Sequence, residues 1–185
     1  MIIGVVYPLL VWVMALDRLL LIVSCSRRKR SDLGLLPAIE RYDGVSFRLL
    51  RKARREGYWP ENLDVLILSA KYGLIDISTP IAHYEQRMTR NRANDLKSQV
   101  FQVLQTLTQE FSYSAVYVEL GKDYQDVMEG LTQLFSASSV VYAKGRIGQR
   151  LAHLRQWLLA QCYGRKPWSV KGPSSQQFLA AIAGH

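Results

Sequence analysis

The sequence predicts an α/β protein: a three-layer sandwich around a mainly parallel, Rossmann-like sheet of about four to five strands. Two observations predict it. Short, continuous apolar runs of strand length recur along the chain, and each stops at a cluster of small, hydroxyl-bearing or charged residues. Between these runs lie segments whose apolar residues recur at helical spacing, and strands alternating with helices imply crossovers between parallel neighbours. A composition of 49% hydrophobic and 21% charged residues supplies a core and excludes a disordered chain.

The first strand is Leu19 to Val23, ending at Ser24-Cys25-Ser26. The second is Asp64 to Leu68, ending at Ser69-Ala70-Lys71-Tyr72-Gly73, and the third is Ala115 to Val118, ending at Glu119-Leu120-Gly121. The fourth, Ser139 to Tyr142, ends at Ala143-Lys144-Gly145. Helices are predicted over 35–56, 87–111, 122–135 and 146–162. In the second of these, Leu96, Val100, Val103, Leu104 and Leu107 share a face, and in the last Ile147, Leu151, Leu154 and Leu158 do so. The domain is thus expected over 19–162. Residues 1–18 form an apolar extension read as a short anchor, as an extra packed element, or as sequence upstream of a natural start at Met14. With Gly4 and Pro8 inside a run shorter than about 20 residues, stable membrane insertion is not expected. Residues 163–185 read as a basic linker and a short helix.

Cysteine and histidine usage narrows the chemistry. Cys25 and Cys162 make neither a disulfide framework nor a zinc pair, and His83, His153 and His185 lack metalloprotease spacing. No metal and no cofactor are expected, and a cytoplasmic location fits. The formal charge is +9, with 11 basic against 4 acidic residues between Arg18 and Glu56 and 7 against none from Lys144 to Lys171. Such an excess favours a phosphate-bearing ligand or nucleic acid as partner.

In open α/β sheets ligands sit beyond the carboxyl ends of the strands, and every unusual motif here falls at such an end. After the first strand, Cys25 and Ser26 stand beside Arg27, Arg28, Lys29 and Arg30, a setting that favours an anion. Cys25 reads either as a nucleophile or as the strand's last core residue, and Ser26 and Lys29 as ligand contacts. After the second strand, small residues allow close backbone approach, Lys71 offers a point charge, Tyr72 an aromatic face and Gly73 a turn at positive φ. This is not a phosphate-binding P-loop, because the first glycine and the Lys-Ser/Thr order are missing. After the third strand, Glu119 is a candidate general base, Gly121 opens a helix, Asp123 is a ribose ligand or a helix cap, and Tyr124 follows. After the fourth, Arg146 and Gly148 belong to a Lys-Gly-Arg-Ile-Gly element, weak evidence by itself.

Taken in order, Cys25-Ser26-Arg27-Arg28-Lys29 and Ser69 through Leu74 resemble an uncharacterised bacterial domain-of-unknown-function family defined by Cys-Ser-x-x-Lys and Ser-Ala-Lys-Tyr-Gly-Leu. The resemblance continues through Pro37 to Tyr42, Phe47 to Ala53, Gly121 to Tyr124 and Gly145 to Leu151. It departs at Ala82-His83-Tyr84, where the family usually has Ala-Pro-Tyr. The family looks distantly similar to α/β domains that handle nucleobases or nucleosides, and some relatives carry a label borrowed from the YaaA peroxide-stress proteins. The resemblance implies functional positions at Cys25, Ser26, Lys29, Ser69, Lys71, Tyr72, Gly73, Tyr84, Gly121 and Tyr124.

Together these readings predict binding of a nucleotide, nucleoside or nucleobase, with hydrolysis or transfer at an N-glycosidic or phosphate bond as the reaction such a site suits. Cys25, Lys71 and Glu119 are the candidate catalytic residues. The competing expectation is a non-enzymatic nucleic-acid-binding module that uses the two basic clusters.

Overall fold

The computed structural model describes residues 18–164. Its elements, in chain order, are β1 (Arg18–Ser24), β2 (Leu36–Pro37), α1 (Ala38–Arg41), α2 (Val45–Arg55), β3 (Leu63–Ser69), β4 (Gly73–Asp76), β5 (Pro80–Ile81), α3 (Arg90–Glu110), β6 (Tyr113–Glu119), α4 (Lys122–Gln125), β7 (Ser139–Tyr142) and α5 (Ile147–Tyr163). Arg18 begins β1, while the rest of the apolar extension and the tail beyond residue 164 lie outside the described residues.

Five strands form the main sheet in the order β4-β3-β1-β6-β7. β1 pairs in parallel with β3, with Leu19 opposite Leu63, and with β6, where Leu19 meets Ala115. β7 extends the parallel set and β4 turns back antiparallel on β3. Because β1 is central and covered on both faces, all five residues from Leu19 to Val23 are buried. Leu19, Leu21 and Val23 face the layer of α1, α2 and α5, where Phe47, Leu50, Leu154 and Leu158 fill the core. Leu20 and Ile22 face the opposite layer, against Leu96, Val100 and Leu104 of α3. The result is a three-layer α/β sandwich.

The connections that leave β1 and β6 run on opposite faces. α2 links β1 to β3 beneath one face, and the segment from α4 through Phe135 links β6 to β7 over the other, the face that α3 also covers between β4 and β6. The connections therefore diverge between β1 and β6, which opens a crevice at the carboxyl ends of those strands.

Three sequence expectations change in detail. The helix expected over 35–56 divides at Asp43-Gly44 into α1 and α2, with Pro37 before the first and Gly44 as N-cap of the second. A Cβ at Gly44 would lie 2.5 Å from the Cβ of Ser26, so the interruption of the helix is also a close approach between loops. The helix expected over 122–135 becomes α4 and two single turns of 3₁₀ helix, Asp126–Met128 and Leu131–Phe135, separated by Gly130 at φ +79°. The residues at 73–76 and the short β2–β5 pairing had no strong periodicity, and both are strands here. No helix among the described residues is long and apolar enough to cross a membrane.

Candidate functional site

The end of β3 is built on a buried hydroxyl cluster. Ser69 is fully buried, and its Oγ lies 2.8 Å from the Tyr84 hydroxyl and accepts a 3.2 Å hydrogen bond from that of Tyr42. The two phenols are themselves 2.6 Å apart, closing a triangle. Ser69 Oγ also accepts from the backbone N–H groups of Lys71 and Tyr72, which folds the following turn over the strand end. From the outside, Arg92 of α3 donates to the carbonyls of Ala70 and Lys71. Gly73 leaves the turn at φ +73°, and a Cβ there would meet the Gln99 side chain at 2.7 Å. Burial raises the Tyr42 and Tyr84 phenols above their usual range, and negative charge at Cys25 would raise both further.

Two lysines rest on this cluster. Lys29 Nζ stands 4.3 Å from the Tyr84 ring centroid and 5.9 Å from that of Tyr42, and Lys71 Nζ is 5.4 Å from Tyr84 and 5.1 Å from Tyr72. Tyr72 and Tyr42 both meet the Tyr84 ring edge-on. Neither ammonium has a carboxylate partner among the described residues. A tyrosine face attracts a cation through its quadrupole but supplies no counter-charge.

The loop that carries Lys29 is held from inside. Arg41 is fully buried and donates to the carbonyls of Arg30, Asp32, Gly34 and Ile81. Ser26 Oγ accepts from Gly44 N–H and donates to the Arg28 carbonyl, so this hydroxyl is spent on the turn. Arg28 pairs with Asp43 and Arg30 with Asp32.

Beyond β1, a cavity of about 240 Å³ brings together Cys25, Ser26, Lys29, Asp123 and Tyr124. Met88 gives it an apolar wall, and Arg27, Arg87 and Glu85 stand around it. Cys25 Sγ lies 3.1 Å from the Tyr124 hydroxyl, and burial holds that phenol above its usual range. Cys25 also packs on the core, so it ends the strand and faces the cavity at once. Gly121 is the N-cap of α4 and donates its N–H to Ser24 Oγ, which ties β6 to β1 where the connections diverge. Asp123 makes no cap hydrogen bond and remains an exposed carboxylate at the cavity.

Glu119 is placed differently from a general base in an open site. It is 1% exposed, ion-paired with Arg150 of α5, and accepts a 3.1 Å hydrogen bond from Ser46 of α2. Desolvation raises its carboxyl above the ordinary value, against the pull of Arg150. The carboxylate binds two helices to the end of β6. Arg146 and Gly148 stand exposed at the start of α5, where the Arg146 backbone N–H donates to Gln149, and they do not line the Cys25 cavity. A larger cavity of about 380 Å³ lies at the ends of β6 and β7, between Val118 and Tyr142 and beside Asp126, and holds none of the predicted site residues.

Sequence reasoning missed Arg41, Gly44, Arg92 and Arg150 as parts that shape the site, and gave Tyr42 no role of its own. Each acts through tertiary contacts, and the only signals were motif membership, Arg41 and Tyr42 in Pro37 to Tyr42 and Arg150 in Gly145 to Leu151. Among the described residues no group of three or more His, Cys, Asp and Glu side chains could hold a metal ion.

The fold and this cluster define an α/β protein with a cationic, tyrosine-floored crevice at the diverging end of a mainly parallel sheet. The chain belongs to DUF6884, a family of unknown function, whose model matches residues 20–156. It is also similar to a solved structure described as the crystal structure of AF0587, a protein of unknown function, at 15% identity and a TM-score of 0.48. That alignment covers 84% of this chain and 47% of the other, so the chain spans about half the length of that protein. No curated protein matches the sequence.

Proposed function

We propose that the crevice at the carboxyl ends of β1, β3 and β6 binds a nucleotide, nucleoside or nucleobase. The observation that carries this reading is the pair of ammonium groups, Lys29 and Lys71, held against the Tyr84 ring without a carboxylate partner among the described residues. Their position beside the divergence of the crossovers supports it, since that is where open α/β sheets take ligands. In this reading the lysines neutralise phosphate or developing negative charge. Tyr72 and Tyr124, both half-buried, offer rings or hydroxyls to the organic part. The set suits hydrolysis or transfer at an N-glycosidic or phosphate bond. Cys25 Sγ is the nucleophile at the cavity, and Asp123 rather than Glu119 is the carboxylate beside it.

The competing nucleic-acid module draws less support from the basic helix. On α2, Arg48 and Arg51 both hold Asp43, Lys52 reaches Glu56, and Arg54 stacks on Trp59 at 4.3 Å. Thermal shifts against nucleobases, nucleosides, nucleotides and short RNA and DNA, at low and high salt, separate the two readings. The proposal expects a salt-resistant shift with a small molecule that Lys71→Ala abolishes. Shifts with polynucleotides alone, lost at high salt, would overturn it.

A further inference from the structure

The cations at this end of the sheet divide into those already committed and those left for a ligand. Arg28 and Arg30 hold aspartates, and Arg41 and Arg92 hold backbone carbonyls. Lys29, which donates only a long 3.4 Å hydrogen bond to the Arg27 carbonyl, and Lys71 hold no carboxylate among the described residues. Unlike the exposed Arg27 and Arg87, they are gathered from the ends of two neighbouring strands over one ring. That ring cannot swing away, because its hydroxyl is locked to Ser69 and Tyr42 and its edges are packed by Tyr42 and Tyr72. The closed hydroxyl triangle also has few hydrogen-bonding positions left. The ammonium groups are therefore what the platform presents, and two unit positive charges held on a fixed floor match one dianionic group.

The rest of the crevice sets the size and direction of the ligand. The adjoining cavity, at about 240 Å³, falls below the roughly 300–1,000 Å³ usual for drug-sized ligands. Met88 and Tyr124 line it, and the Asp123 carboxylate stands there among Arg27, Arg87 and Glu85.

We infer that the ligand is a compact phosphomonoester, its single terminal phosphate seated between Lys29 and Lys71 over Tyr84 and its organic part directed toward Met88 and Tyr124. The inference deepens the nucleotide reading and rests on it. It excludes a bare nucleoside or nucleobase as the preferred ligand and, in a cavity of this size, a di- or triphosphate.

Calorimetric titration of the full chain with the common ribonucleosides, their 5′-mono-, di- and triphosphates and inorganic phosphate tests it. At least one monophosphate should bind about tenfold or more tightly than its nucleoside, and inorganic phosphate should compete with it. Lys29→Gln and Lys71→Gln should each weaken the monophosphate by about 10- to 100-fold, the usual contribution of a charged hydrogen bond. Each should leave the nucleoside within about twofold, as should the exposed Arg55→Ala toward both ligands. Competition by inorganic phosphate needs no variant, so it decides the matter even where a substitution lowers stability. Equal affinity for nucleoside and monophosphate, or tighter binding of the di- or triphosphate, would overturn the single phosphate seat and leave the nucleotide reading standing. Absence of binding by every member of the panel would overturn both.

Discussion

The ends of β3 and β6 occupy equivalent places in the sheet, and both carry charged or hydroxyl side chains that look functional in isolation. At β3 the polar residue on the strand, Ser69, is buried and fully engaged, and it supports lysines that lie against aromatic rings and hold no carboxylate among the described residues, Lys29 reaching only the Arg27 carbonyl besides. At β6 the charged residue, Glu119, is itself sealed in by a cation and a hydroxyl from two helices. The difference teaches that position at a strand end marks where a ligand can sit, while the state of pairing decides which end is prepared for one. A buried, paired carboxylate has its charge answered within the protein. An ammonium held on a tyrosine face does not.

The sharpest way to break this comparison is at the sealed end. Glu119→Ala leaves the half-buried Arg150 guanidinium unpaired, and removing one partner of a buried ion pair costs about 3–5 kcal/mol. Urea denaturation should show that loss, and a change below about 1 kcal/mol would place Glu119 among groups free to act on a ligand. Ser69→Ala is the matching test at the open end. It removes the acceptor of two backbone N–H groups and opens the triangle, leaving Tyr42 and Tyr84 bonded only to each other with one phenol proton unpartnered, and a destabilisation of about 2 kcal/mol is expected from the same measurement.

Alkaline unfolding sharpens the contrast further. Tyr42, Tyr84 and Tyr124 are raised above the ordinary value of 10, chiefly by burial, and Tyr117 beneath α5 is pushed up to about 12. For a group raised in the folded state, the native protein binds more protons once the unfolded chain begins to ionise. Stability is therefore intact below pH 10 and falls as pH rises above it. Tyr42→Phe should make that fall shallower, and a melting profile unchanged in slope above pH 10 would mean that the phenol is open to water.

Smaller effects are expected at the turn. Gly73→Ala forces an L side chain into positive φ and against Gln99, for a loss of about 1 kcal/mol in denaturation. Lys71→Ala should leave the melting temperature of the unliganded protein unchanged, because its side chain is exposed and holds no carboxylate. A large drop would show that Lys71 belongs to the architecture, as Arg92 does.

The strands from Leu19, Asp64 and Ala115 were legible because a strand covered on both faces must be apolar at successive positions, and the edge strand from Ser139, little buried, was legible through its β-branched Val140 and Val141. The α3 and α5 helices were legible through their periodic leucines and valines. The strand ends pointed to a crevice, and Lys29, Cys25 and Tyr124 do meet there. What the linear pattern could not show was partnership. Glu119 and Arg150 are separated by 31 positions, and Ser69 and Tyr42 by 27. Arg41 stands in a basic stretch of the sequence, yet it is fully buried, with four backbone carbonyls converging on its guanidinium.

The sequence by itself determined the layers, the strand order's parallel character and the cationic rim, since these follow from local apolar runs, their spacing and the excess of Lys and Arg. Only the tertiary structure decided which of those cations is spoken for. Pairing depends on distances between segments far apart in the chain, and a charge changes its chemistry once a partner a few ångströms away has answered it.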